Sequence, residues 1–246
     1  MWSLKQELNF KTMQLFYNSE IKSGDKTFTF DKEESKHIIK VLRKQEGNKI
    51  HITNGLGFLF ISEIVLGLEK KCEVKINEER FFKPTNFYTH IAVAPTKMLD
   101  RIEWFLEKAT EIGIHEITPI ICEHSERKIY KTDRAEKIIQ AATKQSNQYY
   151  LPKINEAITL NEFLKKNHSG QKFIAHCEET KKKSFANEII KDNPVTILIG
   201  PEGDFSSKEI NLAVENEFIP VTLGNTRLRT ETAALVACHT IVIQNE

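Results

Sequence analysis

The sequence predicts two folded units in one chain: a small all-β unit over residues 13–83, then an α/β unit over residues 87–246 with a mostly parallel sheet. Three observations support this division. The first part is a series of short β-type runs separated by turn signals. The second alternates apolar strand-like runs with helical stretches of about ten to fifteen residues. Between them, residues 81–86 (FFKPTN) place a proline where one pattern gives way to the other. A chain of 246 residues, 40% of them hydrophobic, can bury one large core or two modest ones.

The β-type runs of the first unit are residues 15–18, 26–30, 48–55, 58–65 and 71–76. Alternation is clearest in the last, where Cys72, Val74 and Ile76 face inward and Lys71, Glu73 and Lys75 face water. One helix interrupts the strands: Asp31 caps it, residues 32–45 form it and Gly47 ends it. Gly55-Leu56-Gly57 lacks a third glycine and a following helix, and reads as a hairpin. Residues 1–12 read as an extra leader or a misplaced start with no role in the fold.

In the second unit the strand-like runs are residues 87–95, 116–122, 172–177, 195–200 and 220–224. After the first of them a helix over about residues 98–112 places Met98, Ile102, Phe105, Ala109 and Ile112 on one buried stripe. Lys97, Arg101, Trp104, Lys108 and Glu111 follow a second stripe at steps of four and three. A solvated flank with snorkelling lysines accounts for that spacing; the functional reading is an RNA or dimer surface. Residues 127–144 hold six Lys/Arg against two acids, which suits a phosphate backbone. The lysines at 181–183 follow Glu178 and Glu179 and read as ordinary surface.

Composition and motif spacing exclude several classes of function. There is no run of about 18 apolar residues and no apolar stretch of a secretory signal at the start, so a cytoplasmic location is expected. Cys72, Cys122, Cys177 and Cys238 stand far apart with no C-x-x-C pair, which predicts reduced, mostly buried thiols and no metal site. A net charge of +1 argues against coating nucleic acid by bulk electrostatics, so any RNA binding is regional. Neither a Walker-type loop, nor a strand-end G-x-G-x-x-G, nor a G-x-S-x-G elbow is present, and no two histidines stand at H-x-x-x-H spacing.

The chemistry concentrates late in the chain. The apolar run 195–199 stops at Gly200-Pro201-Glu202-Gly203 and turns into a helix, whose start is marked twice. Ser206 and Glu209 form a capping box, and Phe205 and Ile210 a hydrophobic staple. A Gly-Pro turn between strand and helix needs no ligand by itself. The next unit repeats the arrangement: a strand at 220–223 ends at Gly224, and Thr230 opens the last helix. Two glycine-ended strands therefore feed adjacent loops at the carboxyl edge of a parallel sheet, where α/β folds open a crevice. The second loop packs two arginines, a carboxylate and two threonines into residues 227–232, more polar chemistry than a turn requires.

The segments GPEGDF with SSKE (200–209) and LGNTRLRTETAA (223–234) resemble the signature of the RsmE family of 16S rRNA (uracil-N3) methyltransferases, in the SPOUT superfamily. Three further segments are similar in the right order: HIIKVLR (37–43), Lys97 with KATEIG (108–113), and KQSNQYYLP (144–152). The resemblance implies a PUA-like β-barrel before a trefoil-knotted SPOUT domain, S-adenosyl-L-methionine as cofactor and a homodimer. It also implies 16S rRNA, in the assembled small ribosomal subunit, as partner, with methylation at N3 of the uridine U1498. Two departures stand out: Asp204 occupies a position where many relatives have glycine, and Asn147-Gln148 one where arginine is frequent.

Carried over position by position, the resemblance gives Gly200, Pro201, Gly203, Leu223, Gly224, Leu228, Arg229, Thr230 and Thr232 as cofactor-binding, with residues 175–177 beside the adenosine. Removing the N3 proton needs a base. Glu231 is the first candidate and Glu202 its rival, with Arg229 polarising a uracil carbonyl. Glu231 has a plainer role open to it, as a first-turn charge on the last helix. The RNA-contact candidates are His37, Arg43, Lys97, Arg101, Arg127 and Arg134; His37 could equally be a satisfied barrel histidine. Two other readings remain: a SPOUT enzyme acting on a ribose 2′-hydroxyl or another base, and a non-catalytic RNA-binding adaptor.

Overall fold

The computed structural model describes residues 13–179 and 181–246, so the expectation for residues 1–12 lies outside the described residues. The chain divides into two compact units. One comprises the described residues up to Pro84 together with Thr143–Leu151; the other comprises Thr85–Ala142 and Pro152–Glu246.

The first unit is a five-stranded sheet of β1 (Leu15–Tyr17), β2 (Thr27–Thr29), β3 (Lys49–Thr53), β4 (Phe58–Leu68) and β5 (Lys71–Phe81), in the order β1-β3-β4-β5-β2. Its inner face is the alternating apolar set expected of half-buried strands. Phe16, Ile50, Ile52, Phe60, Ile64, Cys72 and Val74 form one core with Ile38 from the helical segment. That segment begins as expected, with the Asp31 carboxylate accepting from Glu34 N–H at 2.8 Å. It ends earlier than expected. After α1 (Lys32–Lys36) it widens into a π-helical turn over His37–Val41 and stops at Leu42, because Arg43 turns left-handed at φ +53. Gly47 instead pairs with Ile64 of the sheet.

The segment Thr143–Leu151 belongs with this first unit, although division by sequence pattern counts it with the second. Its anchors are long-range. Thr53 Oγ1 donates to Tyr149 O, Gly57 N–H donates to the same carbonyl, and Leu151 N–H donates to Gly55 O. Gly57 sits at φ +90 with the Tyr150 hydroxyl so near that an added Cβ would collide with it.

The second unit holds an all-parallel sheet ordered β11-β13-β10-β12-β6-β7-β8, with β9 also paired to β7. In chain order its elements are β6 (Thr89–Val93), α2 (Leu99–Ile112), β7 (Glu116–Ile121), α3 (Asp133–Gln145), β8 (Lys153–Ile154), β9 (Ile158–Thr159) and α4 (Leu160–Leu164). Then come β10 (Gln171–Ala175), β11 (Lys183–Ser184), α5 (Phe185–Glu188), β12 (Val195–Ile199), α6 (Ser207–Glu215), β13 (Ile219–Thr222) and α7 (Thr230–Asn245). β6 and β12 are buried at every position, Thr89, His90 and Thr196 included, as strands covered on both faces of a parallel sheet must be. In α2 the buried stripe is Ile102, Phe105, Leu106, Ala109 and Thr110. Met98 is not part of it: it precedes the first helical turn and is 54% exposed. No helix among the described residues is long and apolar enough to cross a membrane.

Candidate functional site

The carboxyl ends of β10, β12 and β13 open into one cleft of about 250 Å³. Its apolar surface comes from Ala175, Ile199, Pro201, Leu228 and Ala233, and its polar surface from Glu202, Asp204, Arg227 and Arg229, among others. This is the edge where a parallel α/β sheet leaves a crevice between successive loops.

Local sequence explains how the loops are held. The capping box at the start of α6 is complete: Ser206 Oγ accepts from Glu209 N–H, and the Glu209 carboxylate accepts from Ser206 N–H. Phe205 and Ile210 are both buried in the core beneath it. Gly200 gives Phe205 room to fold back, since a Cβ there would stand 3.0 Å from two of its ring carbons. Thr230, the first residue of α7, donates its hydroxyl to Gly200 O at 3.0 Å and so ties the second loop to the first. Arg227 reaches Glu202 O at 3.5 Å.

Asp204, the departure from glycine, lies in the left-handed region at φ +63, a conformation that aspartate tolerates better than most side-chain-bearing residues. Its carboxylate accepts from Phe205 N–H at 2.9 Å and from Cys177 N–H at 2.7 Å. It thereby joins the loop after β12 to the loop after β10. Burial, followed by the Asp204 charge, pushes the Cys177 thiol up. Burial also holds the His176 imidazole below its ordinary value, so it is neutral near pH 7; among the described residues neither of its ring nitrogens has a hydrogen-bond partner.

Among the expected cofactor-binding residues, Gly200, Pro201, Leu228, Arg229 and Thr230 line the cleft. Gly203, Leu223, Gly224 and Thr232 stand on the same loops or the first turn of α7 but outside its lining. Ala175 and Cys177, expected beside the adenosine, also line it, and Asp204, Arg227, Ile199 and Ala233 line it without having been singled out as binding residues. For Asp204 the signal was present, since a residue replacing glycine in a tight loop points to a left-handed position.

The two candidate bases separate. Glu202 lines the cleft, and its Oε1 accepts from Lys97 N–H at 2.9 Å. Glu231 is outside the lining, in the first turn of α7, with Oε1 3.9 Å from Arg101 Nε. In both, Oε2 is buried and has no hydrogen-bond partner among the described residues.

The RNA-contact candidates are more occupied than their charge suggests. Arg127 donates to Thr96 O and Lys97 O at 3.4 and 2.8 Å, and Arg134 donates to Glu103 at 2.7 Å. Lys97 Nζ lies 3.6 Å from Glu126. In the first unit, His37 Nδ1 stands 3.2 Å from Glu34 Oε1, and Arg43 is exposed. The structure thus places the Lys97 backbone against Glu202 and the Arg101 side chain against Glu231, sets Arg127 on the carbonyls of Thr96 and Lys97, and leaves Arg134 on the flank of α2.

Comparison with known proteins identifies what this site belongs to. Residues 83–242 match the family described as RNA methyltransferase domain, and residues 30–77 match the RNA methyltransferase PUA domain. The ribosomal RNA small subunit methyltransferase E of Buchnera aphidicola subsp. Acyrthosiphon pisum is 30% identical over 220 residues, covering 85% of each chain. A probable rRNA-methyltransferase from Porphyromonas gingivalis superposes with a TM-score of 0.85 at 37% identity, over 94% of this chain and 99% of that one. A ribosomal RNA small subunit methyltransferase E from Neisseria gonorrhoeae, bound to S-adenosyl methionine, superposes at 0.81 with 26% identity, over 92% and 95% of the two chains. The fold class is accordingly a PUA-like β-rich unit followed by a SPOUT-type α/β domain. With its cleft at the carboxyl edge of the parallel sheet and relatives of this kind along most of its length, the chain belongs to the ribosomal RNA small subunit methyltransferase E (RsmE) family of RNA methyltransferases.

Proposed function

We propose that this protein methylates N3 of a specific uridine, the family's U1498, in 16S rRNA, using S-adenosyl-L-methionine bound in the cleft. The observation that carries the reading is the convergence of the loops after β10, β12 and β13 on one cleft of about 250 Å³ with a divided lining. Ala175, Ile199, Pro201, Leu228 and Ala233 suit an adenine ring, while Arg227 suits a carboxylate and Asp204 a cation. A zwitterionic amino acid joined to a nucleoside needs that combination of surfaces.

When bound, the cofactor supplies an electrophilic methyl group on sulfur. The remaining work falls to the protein, because uracil N3 carries a proton at neutral pH. Glu202 is the better-placed candidate to take that proton, directly or through water, because it lines the cleft, whereas Glu231 is turned to Arg101. Arg229, exposed at the mouth of the same cleft, stabilises the charge that develops on a uracil carbonyl. N3 lies on the pairing edge, so the uridine reacts unpaired, and positioning it supplies about 7–11 kcal/mol of the barrier reduction in well-oriented reactions. A trefoil knot through these loops, a cytoplasmic location and recognition of the assembled small subunit belong to the same proposal. So does a homodimer: α2 and α7 pack together, and both leave large apolar side chains in solvent, Trp104 at 43% and Ile243 at 51% exposure.

Primer extension on 16S rRNA from cells with and without the gene tests the acceptor. An N3 methyl blocks pairing, so a stop at the target uridine is expected with the gene and read-through without it. An identical stop pattern in both would sink the assignment.

A further inference from the structure

One peptide group beside the cleft carries load on both of its sides. The unit between Thr96 and Lys97 offers its carbonyl to Arg127 Nε at 3.4 Å, and its N–H donates to Glu202 Oε1 at 2.9 Å. The second guanidinium contact, 2.8 Å from NH2 to Lys97 O, holds the next peptide as well. Because a peptide is planar and trans, fixing the carbonyl direction also fixes the opposed N–H. A donor on the carbonyl polarises the same unit and strengthens its N–H as a donor. The turn has little other freedom: Thr96 is fully buried, and its hydroxyl donates to Met98 O at 2.7 Å. Ala94 N–H donates to Ile199 O, so the chain enters the turn from the strand beside β12.

We infer that Arg127 is a positioning residue for the Glu202 carboxylate, acting through the Thr96–Lys97 peptide, and not primarily a phosphate contact for RNA. The inference rests on the reading of Glu202 as a working group of the methylation site. Without Arg127 the turn swings, Lys97 N–H leaves Oε1, and the carboxylate loses that hydrogen bond while its other oxygen stays buried, with no partner among the described residues. Lysine at 127 has a donor to replace the contact to Lys97 O but no fork to hold two carbonyls at once.

The test is a double-mutant cycle of Arg127→Ala and Glu202→Ala, with Arg127→Lys as the conservative variant. It is read by single-turnover methylation, by RNA affinity against salt, and by hydrogen exchange at the Lys97 amide. Coupled residues fail to add. The double variant is expected to methylate no more than about twofold slower than the slower single one. Arg127→Lys should recover part of the rate, Arg127→Ala should leave the salt dependence of RNA binding unchanged, and both alanine variants should accelerate Lys97 exchange. Losses that multiply, or a salt slope that falls by about one in Arg127→Ala, would overturn the inference in favour of a phosphate contact. If Glu202→Ala methylates like the wild type while Lys97 exchange still responds to Arg127, the reading of Glu202 fails and the clamp survives as structure. If Lys97 exchange does not respond, the clamp itself fails.

Discussion

Single residues in this protein divide by whether their partners are near in sequence. Arg229 begins α7 through its backbone, with its carbonyl accepting from Ala233 N–H at 2.8 Å, while its side chain lines the cleft and makes no hydrogen bond among the described residues. Arg229→Ala is therefore expected to reduce methylation by at least about a hundredfold, the scale of one lost charge-stabilising donor, with the urea midpoint nearly unchanged. Wild-type activity would remove Arg229 from the chemistry.

His90 shows the opposite case, a buried group whose charge is suppressed. Burial outweighs the attraction of Glu116 and, with Lys153, Lys166 and His168 opposing the positive charge, holds its pKa down to about 4. Between the ordinary value of 6.5 and about 4, the unfolded chain binds a proton here that the folded chain refuses. Stability therefore falls as pH falls through that window, by at most about 1.4 kcal/mol per pH unit from this residue. His90→Gln should flatten the dependence of the urea midpoint between pH 7 and 5; an unchanged slope would show that other groups set it.

At the level of elements, what was legible in the sequence is what is determined within a turn or two. The start of α6 was readable because Ser206, Glu209, Phe205 and Ile210 fall within six residues, and the structure forms both the box and the buried contact. Ser206→Ala should cost about 1 kcal/mol in denaturant unfolding, since Glu209 N–H loses its acceptor. A loss below the error of the measurement would mean that the Glu209 contact to Glu123 N–H already fixes this helix start. Met98 was misplaced because the helical period continues one residue past the true helix start. Gly47 looked like a helix stop, yet Arg43 turns left-handed first, and a π-helical turn has no mark in residue spacing.

The cleft itself was legible as two glycine-ended strands. The third contributing loop, through Ala175 and Cys177, entered through the family resemblance, because Asp204 joins it to the GPEG loop across 27 residues. The bond from Lys97 N–H to Glu202 spans 105 residues, and no local pattern announces it.

For the whole molecule, the same limit governs the division into units. Pattern places the boundary near Pro84, but Thr143–Leu151 returns to the first unit because Tyr149 and Leu151 find backbone partners in the β3–β4 hairpin. Such grouping depends on contacts and not on composition. The proposed homodimer is tested at this scale: sedimentation at micromolar concentration should give about twice the chain mass of 28.4 kDa. A single species at the chain mass would remove the dimer from the proposal.

The bond from the Thr230 hydroxyl to Gly200 O also sets a timetable. The interior strand β6 is made more than a hundred residues before the wall of Arg227, Leu228, Arg229 and Ala233. During synthesis the early strands can pair while the cleft still lacks one side, since chains emerge at only about 5–20 residues per second. A nascent chain that has not yet delivered Ala233 has no complete cleft, so the cleft is completed only after most of the sheet has been made.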